Sequence, residues 1–196
     1  TGAPGIGKST LADMLTYQLL AKDFELTYVR AIEDAEESYL EDKQQVFLFD
    51  DFLGTITLDL TSSRNLDASI SNFIQRVKND NKKRLILTCR TTILNQAKEK
   101  SEKLNNSKLD IAQHEVKIQD YSDLDKAKIL YNHLYFSDLT QPHKNVIFQN
   151  QFYWKIIKHR NYNPRLIEFF TDIDRVEDNE QYDVTVTNFL ENPEKI

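Results

Sequence analysis

Several residue types are scarce in this chain of 196 residues, and each scarcity excludes something. The single cysteine, Cys89, rules out an internal disulfide, and we expect it to be a small buried residue in a reducing compartment. No stretch approaches the roughly 18 uninterrupted apolar residues that a membrane span requires. The first residues also lack the apolar segment of a signal peptide. We therefore expect a cytoplasmic globular protein with no membrane partner.

Positive charge is in short supply as well. Lys and Arg total 25 against 31 Asp and Glu, which gives a formal net charge of −6. This balance does not favour direct nucleic-acid binding by the domain. The compact basic run Lys82-Lys83-Arg84 precedes an apolar segment, and we predict that it forms a solvated loop.

Glycine is rare, yet three of the four glycines lie in the first seven residues. The opening TGAPGIGKST contains the pattern G-x-x-x-x-G-K-[ST], which is typical of phosphate-binding loops. In such loops, backbone N–H groups wrap the phosphates, the lysine reaches the β- and γ-phosphates, and the hydroxyl binds Mg²⁺. The alternative is a glycine turn that merely precedes a helix. The pattern predicts that nucleotide phosphates are bound by Gly2, Pro4, Gly5, Ile6, Gly7, Lys8, Ser9 and Thr10.

Two adjacent acids follow a second informative segment, VFLFDDFLG. Its apolar run Val46 to Phe49 is expected of a strand that is buried on both faces. A nucleotide-hydrolysing site needs an acid at the end of such a strand to hold Mg²⁺. We assign Asp50 to the metal, together with Ser9, and Asp51 to polarising an attacking water. The alternative is a pair of solvated acids that cap a turn.

A cation ends the next apolar segment, RLILTCR. Arg90 is predicted to sense the γ-phosphate and to neutralise charge that develops in the transition state. A surface arginine paired with a carboxylate is the alternative.

The segment NYNPRLIEFF predicts a helix with Asn163 as its N-cap and Pro164 as its first residue. Arg165 then lies in the first turn, where a cation opposes the helix dipole and needs a compensating partner. Arg165 is therefore a candidate nucleotide contact. A salt bridge from Arg165 to a carboxylate is the equal alternative.

Hydrophobic periodicity gives the order of elements along the chain. Strands and helices alternate as far as residue 119, which is typical of an α/β fold with a parallel sheet sandwiched by helices. Beyond residue 119, the period is helical. The predicted strands are 25–32, 46–49, 85–88 and 114–119, and the predicted helices are the segment after Lys8, 66–79, 91–105, 122–136, 143–159 and 164–172.

This order predicts three parts. Residues 1–119 form a P-loop NTPase core, and residues 120–172 form a small all-helical lid lobe. Residues 173–196 are acidic, show no helical periodicity, and are predicted to be a linker or the start of another domain. A phosphate loop follows a strand, which would here precede Thr1, so we expect the chain to be a piece of a longer polypeptide.

The quoted segments, with KAKILYNHLYFSDL and IIKHRNYNPRLIEFF, together resemble the STAND NTPases, in particular the bacterial novel STAND classes. The resemblance runs from Thr1 to about Asp172. It implies an ATP-controlled switch within a multidomain protein, with effector and sensor domains as partners, assembly into homo-oligomers on activation, and often a role in antiphage defence. The family's TTR-like strand end corresponds to Thr88-Cys89-Arg90. Its Gly-x-Pro motif, which meets the nucleotide, corresponds to residues 161–164 without the glycine, so the resemblance implies that Pro164 is a nucleotide contact.

Two other classes share the phosphate loop. An AAA+-like motor or loader that acts on DNA or protein would need an arginine finger, for which Arg64 and Arg76 are candidates, and a pore loop that the sequence does not show. A small-molecule kinase would need an arginine-rich lid. The adjacent acids Asp50 and Asp51 and the long helical tail disfavour the kinase.

Overall fold

The computed structural model describes residues 1–52, 66–100, 116, 118, 121–176 and 181–195. The chain divides into two compact units, Thr1–Ile118 and Gln119–Ile196. Within the described ranges, the first unit is α/β and the second is helical. Over the same ranges, no helix has both the length and the apolar character needed to cross a membrane.

The first unit is built around a parallel sheet with the strand order β1-β2-β3. The strands are β1 (Glu25–Tyr28), β2 (Gln45–Phe49) and β3 (Lys83–Leu87), and Val46 of β2 lies opposite Leu26 on one side and Arg84 on the other. The helices of this unit are α1 (Lys8–Leu20), α2 (Ile32–Glu37), α3 (Leu66–Lys78) and α4 (Thr91–Lys100).

The central strand β2 is buried along its whole length. Phe47 packs edge-on against Phe73 of α3, with ring centroids 5.1 Å apart. The alternate residues, Val46 and Leu48, are also buried, so both faces of the strand are covered. α1 packs against β1 and β2, and α3 against β3. The predicted α/β class with a parallel sheet is confirmed.

The amino terminus adds backbone pairing beyond β3. Gly2 forms a parallel bridge with Arg90, just past the end of β3. On the other side, the Thr1 ammonium donates to Val116 O at 2.6 Å, and Ile118 N donates to Thr1 O at 2.8 Å. Thr1 and Gly2 therefore lie between the end of β3 and residues of the last predicted strand, most of which falls outside the described residues. This pairing places the glycine-rich loop at the end of the sheet where β2 and β3 also terminate.

The second unit packs its helices around one apolar cluster. Asn163 caps the helix that begins at Pro164, since its Oδ1 accepts a hydrogen bond from Arg165 N at 2.9 Å. This confirms the predicted N-cap. The helices are α5 (Asp123–Phe136), α6 (Gln141–Phe148), α7 (Phe152–Ile157), α8 (Pro164–Thr171) and α9 (Tyr182–Glu191).

Two predicted elements end earlier than their patterns indicate. The single helix predicted over 143–159 is wrong: Asn150 and Gln151 adopt left-handed conformations, with φ of 48° and 58°, and separate α6 from α7. The strand predicted over 25–32 ends at Tyr28, and Ile32 already begins α2. In both cases, the apolar pattern continues across a change of backbone conformation that it does not encode.

The absence of helical periodicity predicted for residues 173–196, taken there as a linker or the start of another domain, is wrong, because residues 182–191 form α9. Tyr182, Val186 and Leu190 follow at intervals of four and are buried in the core of the helical unit. The Tyr182 hydroxyl donates to Phe170 O at 2.6 Å, and burial raises the pKa of this phenol. A narrow apolar stripe between acidic and polar residues therefore completes the second unit.

The solvated loop predicted at Lys82-Lys83-Arg84 is wrong for Lys83. This residue begins β3, and its side chain is fully buried. Its ammonium donates to Leu40 O at 2.8 Å and to Lys43 O at 2.6 Å. The Asp80 carboxylate lies 3.7 Å away. A buried charge is tolerated when it is satisfied in this way, and Lys83 thereby fixes the segment before β2.

The docking of α9 gives a test with an internal control. Val186 is 0% exposed, whereas Val184 on the same helix is 47% exposed. We expect Val186→Ala to lower the free energy of unfolding by about 2 kcal/mol through lost burial and a cavity. Val184→Ala should leave it nearly unchanged. Urea denaturation measures both, and equal effects would show that α9 does not pack in this core.

Candidate nucleotide site

The glycine-rich loop uses its glycines in two different ways. Gly5 and Gly7 have φ of 73° and 93°, in the left-handed region that side chains disfavour. Gly2 is instead enclosed: a Cβ atom there would lie 2.8 Å from Ile6 Cγ2 and 3.0 Å from Ile118 O. The loop therefore depends on glycine at all three positions for steric reasons.

α1 begins directly after this loop. Gly7 is its N-cap and provides no capping side chain, so the positive end of the helix dipole faces the loop without a side-chain cap. Backbone N–H groups at such a terminus are suited to binding an anion. Pro4 is exposed, Ile6 is half-buried, and Thr10 is exposed in the first turn.

Lys8 is the cation of the loop. Its half-buried ammonium donates to Ala3 O at 2.8 Å, which folds the side chain back along the loop. Burial lowers the pKa of Lys8, and the nearby Arg90 lowers it further, while Asp51 and Asp50 oppose the shift. The lysine thus lies in a cluster that contains both candidate acids and the candidate sensing arginine.

Ser9 and Asp50 are in direct contact. The Ser9 hydroxyl donates to Asp50 Oδ1 at 2.9 Å and approaches Oδ2 at 3.1 Å. Since its proton points to the carboxylate, the hydroxyl oxygen keeps lone pairs available for a cation. Hydroxyl and carboxylate oxygens are ligands that suit Mg²⁺, so these residues fit that metal. In the described part of the chain, no three His, Cys, Asp or Glu side chains form a metal cluster. A metal here would therefore need further ligands from phosphates and water.

Asp51 adopts an unusual conformation next to Arg90. Its φ is 51°, in the left-handed region that is uncommon for a residue with a side chain. Asp51 Oδ2 lies 3.6 Å from a guanidinium nitrogen of Arg90, and both side chains are about half exposed. Asp51 Oδ1 is buried and has no hydrogen-bond partner within the described residues. One carboxylate oxygen is thus paired with a cation, while the other is an unused acceptor.

Thr88 also belongs to this cluster, although its sequence context identified it only as part of the TTR-like strand end. Its buried hydroxyl donates to Asp50 Oδ1 at 2.5 Å and accepts from Asp51 N at 2.8 Å. The sequence did carry a signal for Thr88. It is a polar residue at the end of one apolar strand, and another apolar strand ends in two acids. Cys89, the next residue, is buried as predicted.

The remaining candidates belong to other elements of the chain. Pro164 and Arg165 belong to the helical unit, at the first turn of α8, and no carboxylate pairs with Arg165 among the residues that the structure describes. Arg76 pairs with Glu36 at 2.7 Å and stacks 3.7 Å above the Tyr39 ring, so its own unit engages it. Arg64 lies outside the described residues.

The family model for Novel STAND NTPase 3 matches residues 1–136. The chain belongs to this family. As a Novel STAND NTPase 3 domain, it is a nucleotide-binding NTPase module with a regulatory, multidomain context. The matched span includes the glycine-rich loop, both acids and Arg90, whereas Pro164 and Arg165 lie beyond it. Comparisons with curated proteins and with solved structures found no match.

The conformation of Gly7 in this domain predicts a local stability effect. Gly7→Ala should lower the free energy of unfolding by about 1 kcal/mol or more, because φ at this position is unfavourable for a residue with a Cβ atom. Thr10→Ala, an exposed change in the same turn, should alter it by less than about 0.5 kcal/mol. Urea denaturation compares the two variants. Equal stability of both would contradict the left-handed conformation of Gly7.

Proposed function

We propose that this domain binds ATP or ADP with Mg²⁺ at the glycine-rich loop and hydrolyses ATP slowly, as the switch of a larger signalling protein. The observation that carries the proposal is the contact of the Ser9 hydroxyl with the Asp50 carboxylate, which lie 41 positions apart. The contact joins the residue after the loop lysine to the acid after a buried strand. In P-loop NTPases, the loop hydroxyl and this acid hold the same Mg²⁺ and must therefore lie close together.

Nucleotide binding is assigned to the loop and to Lys8. Backbone N–H groups between Gly2 and Ser9 would donate to phosphate oxygens, with the helix dipole of α1 adding to the attraction. The Lys8 ammonium is the loop cation for the β- and γ-phosphates. The partial burial that lowers its pKa also strengthens its electrostatic interaction with a phosphate. This part of the site is expected to determine affinity.

Hydrolysis is assigned to the residues at the ends of β2 and β3. Ser9 and Asp50 would hold Mg²⁺, which when bound neutralises phosphate charge and orients the phosphates. Asp51 would orient a water and accept its proton through the exposed part of its carboxylate. Arg90 would stabilise charge on the γ-phosphate, and to do so it must exchange its contact with Asp51 for one with the phosphate.

The regulatory part of the proposal concerns the helical unit. A nucleotide can change the arrangement of the protein only if it interacts more strongly with one arrangement than with another. Arg90 in the first unit and Pro164 or Arg165 in the second are the proposed reporters of ATP against ADP. Family membership supports a switch whose partners are effector and sensor domains. We include in this proposal assembly into homo-oligomers on activation, a role in antiphage defence, and a cytoplasmic location.

Two substitutions separate binding from hydrolysis. We expect Lys8→Ala to weaken ATP binding by roughly 10- to 100-fold, because it removes a charge-assisted contact to phosphate. Asp51→Asn should bind ATP with Mg²⁺ normally and lower kcat by roughly 100-fold or more. Titration calorimetry measures the first effect, and phosphate release under saturating ATP measures the second.

Matched controls come from exposed residues of the same types. Lys22→Ala, in the turn after α1, and Asp42→Asn, before β2, should leave both measurements unchanged. Tight ATP binding by Lys8→Ala would refute the phosphate-loop assignment. Undiminished hydrolysis by Asp51→Asn would refute the role given to Asp51 alone.

A further inference from the structure

We propose that Thr88 is a positioning residue of this site, and that its hydroxyl sets the two acids in their working geometry. The inference rests on the proposed function, since it concerns how Asp50 and Asp51 are held for metal binding and water activation. Thr88 is not expected to touch the nucleotide. It acts through the two carboxylate-bearing residues.

The hydroxyl of Thr88 uses both of its hydrogen-bonding capacities. Its proton goes to Asp50 Oδ1 at 2.5 Å, and its oxygen accepts the N–H of Asp51 at 2.8 Å. A hydroxyl is a group that can donate and accept at once from a single short side chain. Valine has nearly the same shape and can do neither. The requirement at this buried position is therefore chemical rather than one of volume.

The backbone of Thr88 also holds the turn that follows β2, through one hydrogen bond before Asp51 and one after it. Thr88 N donates to Phe49 O at 2.9 Å, and Phe52 N donates to Thr88 O at 2.9 Å. The side-chain bond to Asp51 N lies between these two contacts. Together they bracket the left-handed backbone of Asp51, whose φ is 51°. Loss of the hydroxyl would leave the Asp51 N–H without its acceptor and release this residue toward commoner conformations.

Asp50 depends on Thr88 for its orientation as well. Its Oδ1 accepts from both Ser9, in α1, and Thr88, the residue directly after β3. Two donors on one oxygen fix the carboxylate plane and leave Oδ2 as the oxygen with more remaining acceptor capacity. Partners that orient a metal-holding group often change metal affinity or activity by roughly 10- to 100-fold when they are removed.

The position of Thr88 also links the acids to the sensing arginine. Thr88 and Arg90 lie two residues apart at the end of β3, and Arg90 pairs with Asp51. A displacement of this strand end would therefore move the Thr88 hydroxyl and the Arg90 guanidinium together. The segment directly after β3 thus presents a hydroxyl and a guanidinium to the turn after β2.

The test compares Thr88→Val with Thr88→Ser. We expect Thr88→Val to lower kcat for ATP hydrolysis by roughly 10- to 100-fold and to raise the Mg²⁺ concentration needed for half-maximal rate, with KM for ATP changed by less than about threefold. Thr88→Ser retains the hydroxyl and should stay within about threefold of the unsubstituted chain in all three quantities. A residue with only a packing role would not produce this division between Mg²⁺ dependence and KM.

Thr171→Val removes another buried threonine hydroxyl, which donates to Ile167 O within α8, and it should leave kcat and Mg²⁺ dependence unchanged. If Thr88→Val does not fold, Thr88→Ala takes its place with the same expectation. Unchanged kcat and Mg²⁺ dependence in the valine or alanine variant, or equal losses in the serine variant, would overturn the inference. Absence of ATP binding and hydrolysis in the unsubstituted chain would instead refute the proposed function.

Discussion

The hydrogen bond from the Ser9 hydroxyl to the Asp50 carboxylate is the contact on which the candidate site depends. It joins the first turn of α1 to the end of β2, and several features of the fold must be in place for it to form. The loop must turn through the left-handed conformations of Gly5 and Gly7, and Thr1 and Gly2 must lie beside the end of β3. Because the strands are parallel, the polar residues that follow β2 and β3 lie at the same edge of the sheet. The site is thus a consequence of topology more than of any one element.

Around this contact, hydroxyl groups hold the acids, and cations face them. Asp50 accepts hydrogen bonds from Ser9 and Thr88, while Arg90 lies beside Asp51. Lys8 lies near both acids and near Arg90, and partial burial lowers its pKa. A multiply charged anion with a divalent cation would complement such a mixed cluster better than either ion alone. This balance is the physical reason for assigning a metal–nucleotide complex to the site.

Local patterns predicted much of this arrangement, and long-range contacts account for what they missed. The opening loop, the buried strand before Asp50 and the capped helix at Pro164 have signals within a few residues, and the structure contains each of them. The hydrogen bond of Thr88 to Asp50 joins residues 38 positions apart. The burial of Lys83 depends on carbonyls some 40 positions away. α9 has an apolar stripe too narrow to recognise without the core that it covers. Sequence periodicity carries no information on such partners.

The most direct test is a double-mutant cycle on Ser9 and Asp50, with ATP affinity measured by calorimetry in Mg²⁺ and again in excess chelator. If both residues hold one metal, Ser9→Ala and Asp50→Asn should each weaken binding in Mg²⁺. The double variant should then be little weaker than the poorer single variant, with a coupling of about 1 kcal/mol or more. In chelator, the coupling should nearly vanish. Additive losses in Mg²⁺, or the same losses with and without Mg²⁺, would contradict a shared metal.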